Sequence, residues 1–305
     1  MTLITEDSQV GDKFAGKPKT ISWERLWAFS GGPFRLEGWP SSNIHTDPAW
    51  AEASKLPSVA ASGSQFSGHL VEFVIDLLGL DFLSGGTMDV KFIGIGNAGD
   101  TLISNAEIMS KETEDAATKF TLDIYCENQN GKKIVVGSAS GFIGTPSSLS
   151  PAEEWRKRRI AMETDSAINN DLTERPESEP LEYVVTPELN QQFCFGEEDF
   201  HPRYIEETVI GQPIAHPGLV INWANVTRSP SSKAQKGGGG LAARHEYFFC
   251  NPAKVGKKLR VEWKRIGSYE KRGRIYSIGD NVVVDEDGVD ILRRFSHGAG
   301  PRVDK

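Results

Sequence analysis

Leu70-Val71-Glu72-Phe73-Val74-Ile75-Asp76-Leu77-Leu78-Gly79, followed nine positions on by Met88-Asp89-Val90-Lys91-Phe92, changes its hydrophobic period within a few residues. In the first segment Leu70, Phe73, Val74, Leu77 and Leu78 fall at i, i+3, i+4, i+7 and i+8, the single apolar stripe of a helix packed on one side. Ser64 or Ser67 is placed to cap that helix and Gly79 to end it. In the second segment apolar and charged residues alternate, as in a half-buried strand. Leu102, Ala106 and Ile108 share one face of a further strand, and Phe120, Leu122 and Ile124 one face of the next. Asn130-Gly131 is a tight hairpin signal leading into a strand at 134–136. Upstream, the pattern predicts short helices at 22–29 and 48–53. Helices first and an antiparallel meander afterwards make an α+β unit.

That unit occurs twice. Gly99-Asp100-Thr101-Leu102 has a counterpart in Gly256-Lys257-Lys258-Leu259, the Asn130-Gly131 hairpin in Asp287-Gly288, and Gly63 in Gly218, at offsets of 157, 157 and 155. Three turn signals at nearly one spacing point to duplication. His245, Tyr247 and Phe249 on one face, then Leu259, Val261 and Trp263, repeat the strands. The expected division is 1–145 for the first copy, 146–182 for a proline-bearing linker with a charged helix at 152–161, and 183–305 for the second.

Composition sets limits on function. The 305 residues are 38% hydrophobic and 25% charged, which suits two globular units. A net charge of −8 argues against nucleic acid as a partner. Cys126, Cys194 and Cys250 are scattered and without metal-ligand spacing, as for buried free thiols in a reducing compartment. The expectation is a cytoplasmic protein with no signal peptide, no membrane span and no metal or other cofactor.

One stretch carries chemistry. Asn43-Ile44-His45-Thr46-Asp47-Pro48, followed by Ala60-Ala61-Ser62-Gly63, resembles the hydratase motif Gly-Asp-x-Asn-Pro-x-His of MaoC-like dehydratases and (R)-specific enoyl-CoA hydratases, including a small-residue–Gly turn 18 positions after the His. The strand at 90–92 and Gly99-Asp100-Thr101 fit the same family. The second half resembles its degenerate partner domain, at Asp199-Phe200-His201-Pro202-Arg203-Tyr204 and Pro213-Ile214-Ala215-His216-Pro217-Gly218. The resemblance implies a double hotdog: two tandem domains, each a curved antiparallel sheet wrapped around a central helix, paired side by side with an acyl-thioester tunnel at the seam.

It also implies roles. His45 takes the position of the catalytic His, and Gly63 that of the helix-end amide that polarises a thioester carbonyl, where the amide and helix dipole stabilise growing negative charge. The motif Asp is missing: Pro40 stands there, Ser42 replaces the Asn and Asn43 the Pro. In the second half Asp199 fills the Asp slot while Tyr204 fills the His slot, so each copy keeps one partner of the pair. Glu37 and Asp47 are candidates for the absent carboxylate. Ser42, Asn43, Ser62, Trp39 and Phe66 are expected to line the substrate.

Three functions remain open from sequence. The first is a hydratase or dehydratase lyase acting on an α,β-unsaturated acyl or polyketide-like small molecule, carried by coenzyme A or a carrier protein. The second is a cyclase, in which holding a near-attack geometry supplies the acceleration. The third is an acyl-binding module without catalysis. A homodimer is compatible with all three. The basic run from Lys257 to Arg274 suits either coenzyme A phosphates or a solvated strand face. Lys236 to Gly240 lacks the Lys-Ser/Thr of a phosphate loop and reads as a flexible loop or lid.

Overall fold

The computed structural model describes residues 3–114, 116–144, 146, 151–171, 177–207, 211–233, 236 and 241–302. Lys236–Gly240, read above as a lid, lies outside the described residues except for Lys236.

The first copy opens with strands β1 (Lys13–Ala15) and β2 (Lys19–Thr20), then helices α1 (Trp23–Gly31), α2 (Pro48–Ala53) and α3 (Gly63–Leu78). Strands β3 (Thr87–Phe92), β4 (Thr101–Glu114), β5 (Ala117–Asn128) and β6 (Lys133–Gly144) follow. The predicted stripe is buried: Leu70, Val74 and Leu77 have no exposure and Phe73 has 6%. Gly79 ends α3 at φ +92°, a backbone conformation that disfavours any residue with a Cβ. The cap expected at Ser64 or Ser67 lies earlier. Ser62 caps the helix, its hydroxyl accepting from the Gln65 N–H at 3.2 Å. Ser64 and Ser67 lie in the first turns of the helix, buried against the second copy, where a stripe analysis cannot tell them from caps.

Helix α4 (Pro151–Thr164) connects the copies. It packs on the far face of the second copy's sheet through Trp155, whose Nε1 donates to Asp280 Oδ1 at 2.9 Å, and Arg158, which pairs with Glu246 at 2.9 Å. The second copy holds β7 (Leu181–Val184), α5 (Pro187–Glu197), α6 (Pro217–Trp223) and strands β8 (Leu241–Phe249), β9 (Lys258–Lys271), β10 (Arg274–Asp285) and β11 (Asp290–Arg302). Helix α5, counterpart of α1, has no counterpart in the sequence reading, because Asn190, Gln191 and Gln192 interrupt its apolar stripe.

All strands lie in one antiparallel sheet of order β1-β4-β5-β6-β3-β8-β11-β10-β9-β7, with β2 beside β4. Read outward from the centre, β3-β6-β5-β4-β1 and β8-β11-β10-β9-β7 repeat one topology, so the duplication inferred from turn spacing holds at the level of connectivity. The paired turns agree as well: Gly99 and Gly256 have φ +95° and +90°, Gly131 and Gly288 +70° and +78°. The copies join where β3 pairs β8, Val90 opposite His245, and Arg244 grips Asp89 with Nε and Nη2 at 2.7 and 2.6 Å.

Candidate active site

His45 rides on the loop between α1 and α2. Its backbone N–H donates to Asn43 Oδ1 at 2.9 Å, and Asn43 Nδ2 donates to the Ser30 carbonyl at the end of α1 at 3.0 Å. The Thr46 hydroxyl donates to the Ser41 carbonyl, and Asp47 caps α2 by accepting from the Ala49 N–H at 2.8 Å. The imidazole is thereby held with Nδ1 2.7 Å from the Ala60 carbonyl. A carbonyl only accepts, so Nδ1 carries the hydrogen and Nε2 presents its lone pair. His45 is half-buried, and the loss of water around its ring, outweighing the Ala60 hydrogen bond and reinforced by the charge of Arg228, lowers its pKa to about 4. At neutral pH this is a neutral imidazole of fixed tautomer with a free basic nitrogen.

Three residues beyond Ala60, α3 begins at Gly63. The Gly63 and Ser64 N–H groups have no backbone acceptor among the described residues, and the helix dipole points its positive end there. A Cβ on Gly63 would stand 3.2 Å from Phe92 of β3 and from Ala242 of β8, which puts the helix end at the junction of the two copies.

The second copy contributes what sequence reading missed. After α6 the chain makes a tight turn in which the half-buried Asn225 donates to Ser64 Oγ at 2.7 Å and Arg228 turns inward. Arg228 is 9% exposed and lies 3.9 Å above the Trp39 ring. Its Nε and Nη2 both donate to Asn222 Oδ1, at 3.0 and 2.8 Å. Burial lowers its pKa to about 9, and no carboxylate among the described residues pairs with it. A single Arg 183 positions after the His carries no local sequence signal.

The other expected site residues divide. Trp39 forms the floor under Arg228, with Nε1 on the Ser30 carbonyl at 3.0 Å. Ser42 is half-buried beside that loop. Asn43 holds the loop rather than facing a ligand, Ser62 is engaged as the helix cap, and Phe66, 3% exposed, belongs to the core. Glu37 is exposed, and Asp47 is committed to α2. Among the described residues the hydrogen-bond partners of His45 are Asn43 and the Ala60 carbonyl, and include neither of these carboxyl groups.

The equivalent position in the second copy is closed. His216, the N-cap of α6, accepts from the Gly218 N–H through Nδ1 at 3.0 Å, so this helix end is occupied by its own cap, and Glu197 Oε1 lies 2.5 Å from where a Gly218 Cβ would be. Since Nδ1 accepts, Nε2 carries the proton and faces Asp199 Oδ2 at 3.4 Å. Burial pushes Asp199 upward, but the His216 contact and the nearby Lys19 outweigh it and hold the carboxyl ionised. Tyr204, 1% exposed, packs on the His216 ring at 4.7 Å. Asp199 therefore serves His216, not His45. Glu72, Asp199 and His216 lie close enough together to suggest a metal site, but the donor set does not fit one: both nitrogens of His216 are engaged, and Lys19 sits on the Glu72 carboxyl, which burial raises to about 8.

A groove of about 540 Å³ between α1 and α5, lined by Trp23, Trp27, Phe34 and Phe195, contains neither His45 nor Arg228. The basic strand residues Lys257, Lys258 and Arg260 are paired with Asp287, Glu286, Glu182 and Glu262 on the sheet surface, as a solvated face requires.

No family model matches the chain, and no curated protein matches it. Solved structures do. A protein of Chloroflexus aurantiacus described as a MaoC-domain dehydratase superposes with a TM-score of 0.66 at 12% identity, covering 97% of each chain. A conserved hypothetical protein of Mycobacterium tuberculosis, described as having a double hotdog fold, gives 0.63 at 13% identity over 96% of this chain and 97% of its own. The peroxisomal multifunctional enzyme type 2 of Drosophila melanogaster gives 0.55 at 12% identity over 95% of this chain, which spans 48% of that enzyme. Likeness at this identity establishes the fold, a double hotdog, and leaves the reaction to be argued from the site.

Proposed function

We propose that this double-hotdog chain is a lyase in which a single base, His45, moves the proton of an α,β-unsaturated or 3-hydroxy acyl substrate whose carbonyl rests on the α3 N-terminus. The observation that carries this reading is the contrast between the two helix ends: the Gly63 amide is open beside a neutral, tautomer-fixed imidazole, while the Gly218 amide is occupied by His216. In the dehydration direction His45 Nε2 takes the α-proton while negative charge grows on the carbonyl oxygen beneath the helix end. The resulting imidazolium returns that proton to the departing β-hydroxyl, which leaves as water. Hydration runs through the same steps in reverse. One base serves both transfers, so a carboxylate is dispensable at the cost of rate.

Crotonyl-coenzyme A incubated in deuterated water tests this. Deuterium at C2 and a 3-hydroxyacyl product are expected with the native protein, and both should vanish with His45→Gln. Turnover that survives this substitution rules the reading out. The lack of a carboxylate contacting His45 among the described residues favours a second reading, cyclisation by positioning, which predicts an inert crotonyl thioester and little dependence on His45.

A further inference from the structure

Buried guanidinium groups need compensating negative charge or an array of acceptors, because taking the ion from water strips its hydration shell. Arg244 and Arg294 find compensating groups inside the protein, a carboxylate in the first case and backbone carbonyls in the second. Arg244 is bidentate to Asp89. Arg294, with no exposure, donates from Nη1 and Nη2 to the Ile221 and Ala224 carbonyls at the negative end of α6, while its Nε has no partner among the described residues. Arg228 does not. It is as shielded as a core residue, yet its partners are one amide oxygen, Asn222 Oδ1, and the π-face of Trp39. Nε and Nη2 share that oxygen, which leaves Nη1 without a partner among the described residues.

The guanidinium is also rigidly held. Asn222 is itself fixed, donating to the Phe29 carbonyl at 3.1 Å, and Trp39 is fixed by the Ser30 carbonyl. A planar fork locked between an amide and an indole, its outer edge unused, matches a carboxylate. Its place is equally specific. The turn that bears it touches the first turn of α3 through Asn225 and Ser64, and Trp39, on which it stacks, belongs to the same loop as His45.

Accepting His45 as the base of the reading above, we infer that the substrate carries a free carboxylate and that Arg228, reaching over from the second copy, binds it. The unsaturated carbons then lie between Arg228 and the His45–Gly63 pair. The second copy thus has a task in the first copy's site, although its own helix end is closed. Arg228 is a binding residue that selects acids over neutral analogues.

A matched pair of probes differing only in charge tests this: (2E,4E)-hexadienoate and its primary amide, titrated calorimetrically at neutral pH into the whole protein. The native protein should bind the acid more tightly by a factor on the order of ten or more. Arg228→Gln should bring the acid down to the level of the amide, and Arg228→Lys, which keeps the charge without the fork, should keep part of the preference. The ratio in the native protein decides the matter even if a variant misfolds. Equal affinity for the two probes, or no binding of either, overturns the inference, as does a preference that survives in a folded Arg228→Gln protein. Failure of this inference is separable from failure of the lyase reading. His45→Gln should keep the acid preference while losing deuterium exchange. A protein that exchanges crotonyl-coenzyme A but ignores the carboxylate defeats the inference alone, and one that prefers the acid yet exchanges without His45 defeats the lyase reading alone.

Discussion

An imidazole lowered to about 4 behaves as a base over a wider range than a free one, and this gives the site its pH signature. His45 is competent when unprotonated, so kcat/KM should be flat from about pH 5 into the neutral range and fall only as pH drops through about 4. A profile bending near the ordinary histidine value of about 6.5 would mean that the imidazole is solvated and the site open. The Gly63 amide is testable without disturbing the helix. Proline is tolerated at the first helical position, and Ser62 already has the extended conformation that a following proline requires, φ −76° and ψ 155°. Gly63→Pro should therefore fold and lose roughly 10²- to 10³-fold in kcat, as expected on removing an oxyanion donor. Gly63→Ala brings the same Cβ toward Phe92 and Ala242 but keeps the N–H, so the difference between the two variants measures the amide. At this scale the sequence is informative where residues are close in the chain. His45 and Gly63 stand 18 apart and the motif spacing links them, whereas Arg228 reaches the same site only through the packing of the copies. Asn43 and Ser62 illustrate the opposite error: a polar residue beside a catalytic one is as readily consumed in holding the loop or capping the helix.

Among the elements, α3 and α6 show how one duplicated helix came to differ in the two copies. Helix α3 has 16 residues and α6 only 7, the chain after Trp223 being diverted into the turn that delivers Arg228. The stripe of α3 is plain in the sequence because Glu72 and Asp76 mark the one strip of a long helix that is not buried; α6 has only seven residues, all buried, too few for a stripe to repeat. Between the helices lies Glu197, with no exposure, its Oε2 3.0 Å from His69 Nε2. Burial pushes its carboxyl well above the ordinary range, Lys19 opposing only in part, so the folded protein keeps a proton that the unfolded chain releases near pH 4.5. Stability contributed by that proton is complete below about pH 4.5 and is lost as pH rises toward the folded value. The melting temperature should accordingly decline from mildly acidic to alkaline pH, and Glu197→Gln, a neutral isostere, should flatten that decline. A slope unchanged by the substitution would place the charge elsewhere, with Glu72, raised to about 8 by burial, as the next group to test. The same carboxyl makes Gly68 obligatory: a Cβ there would come within 2.0 Å of Glu197 Oε1, and Gly68→Ala should cost about 3 kcal/mol by denaturant titration.

For the molecule as a whole, the two copies recognised from turn spacing are not independent bodies. One apolar core runs from Leu26 and Phe29 in the first copy to Val261 and Leu292 in the second. The seam adds polar ties within and between layers: Arg244 to Asp89 in the sheet, Gln65 Nε2 to the Gly196 carbonyl at 3.0 Å between helices α3 and α5, and the Tyr247 hydroxyl of β8 to Ser67 Oγ of α3 at 2.9 Å. Separating the copies would uncover the β3 edge, with Val90 and Met88 now 0% and 2% exposed, and leave Gln65 and Ser67 facing an empty interface. Neither half retains a complete core, so thermal unfolding should be a single transition with a calorimetric enthalpy close to the van't Hoff value, despite a length at which chains often unfold in parts. A fragment of residues 1–145 should aggregate or pair with a second copy through β3 rather than remain a folded monomer. Two resolved endotherms, or a monomeric 1–145 fragment with native strand content, would show that the copies are autonomous, and a site assembled from His45 of one and Arg228 of the other would then lack the rigid seam it depends on.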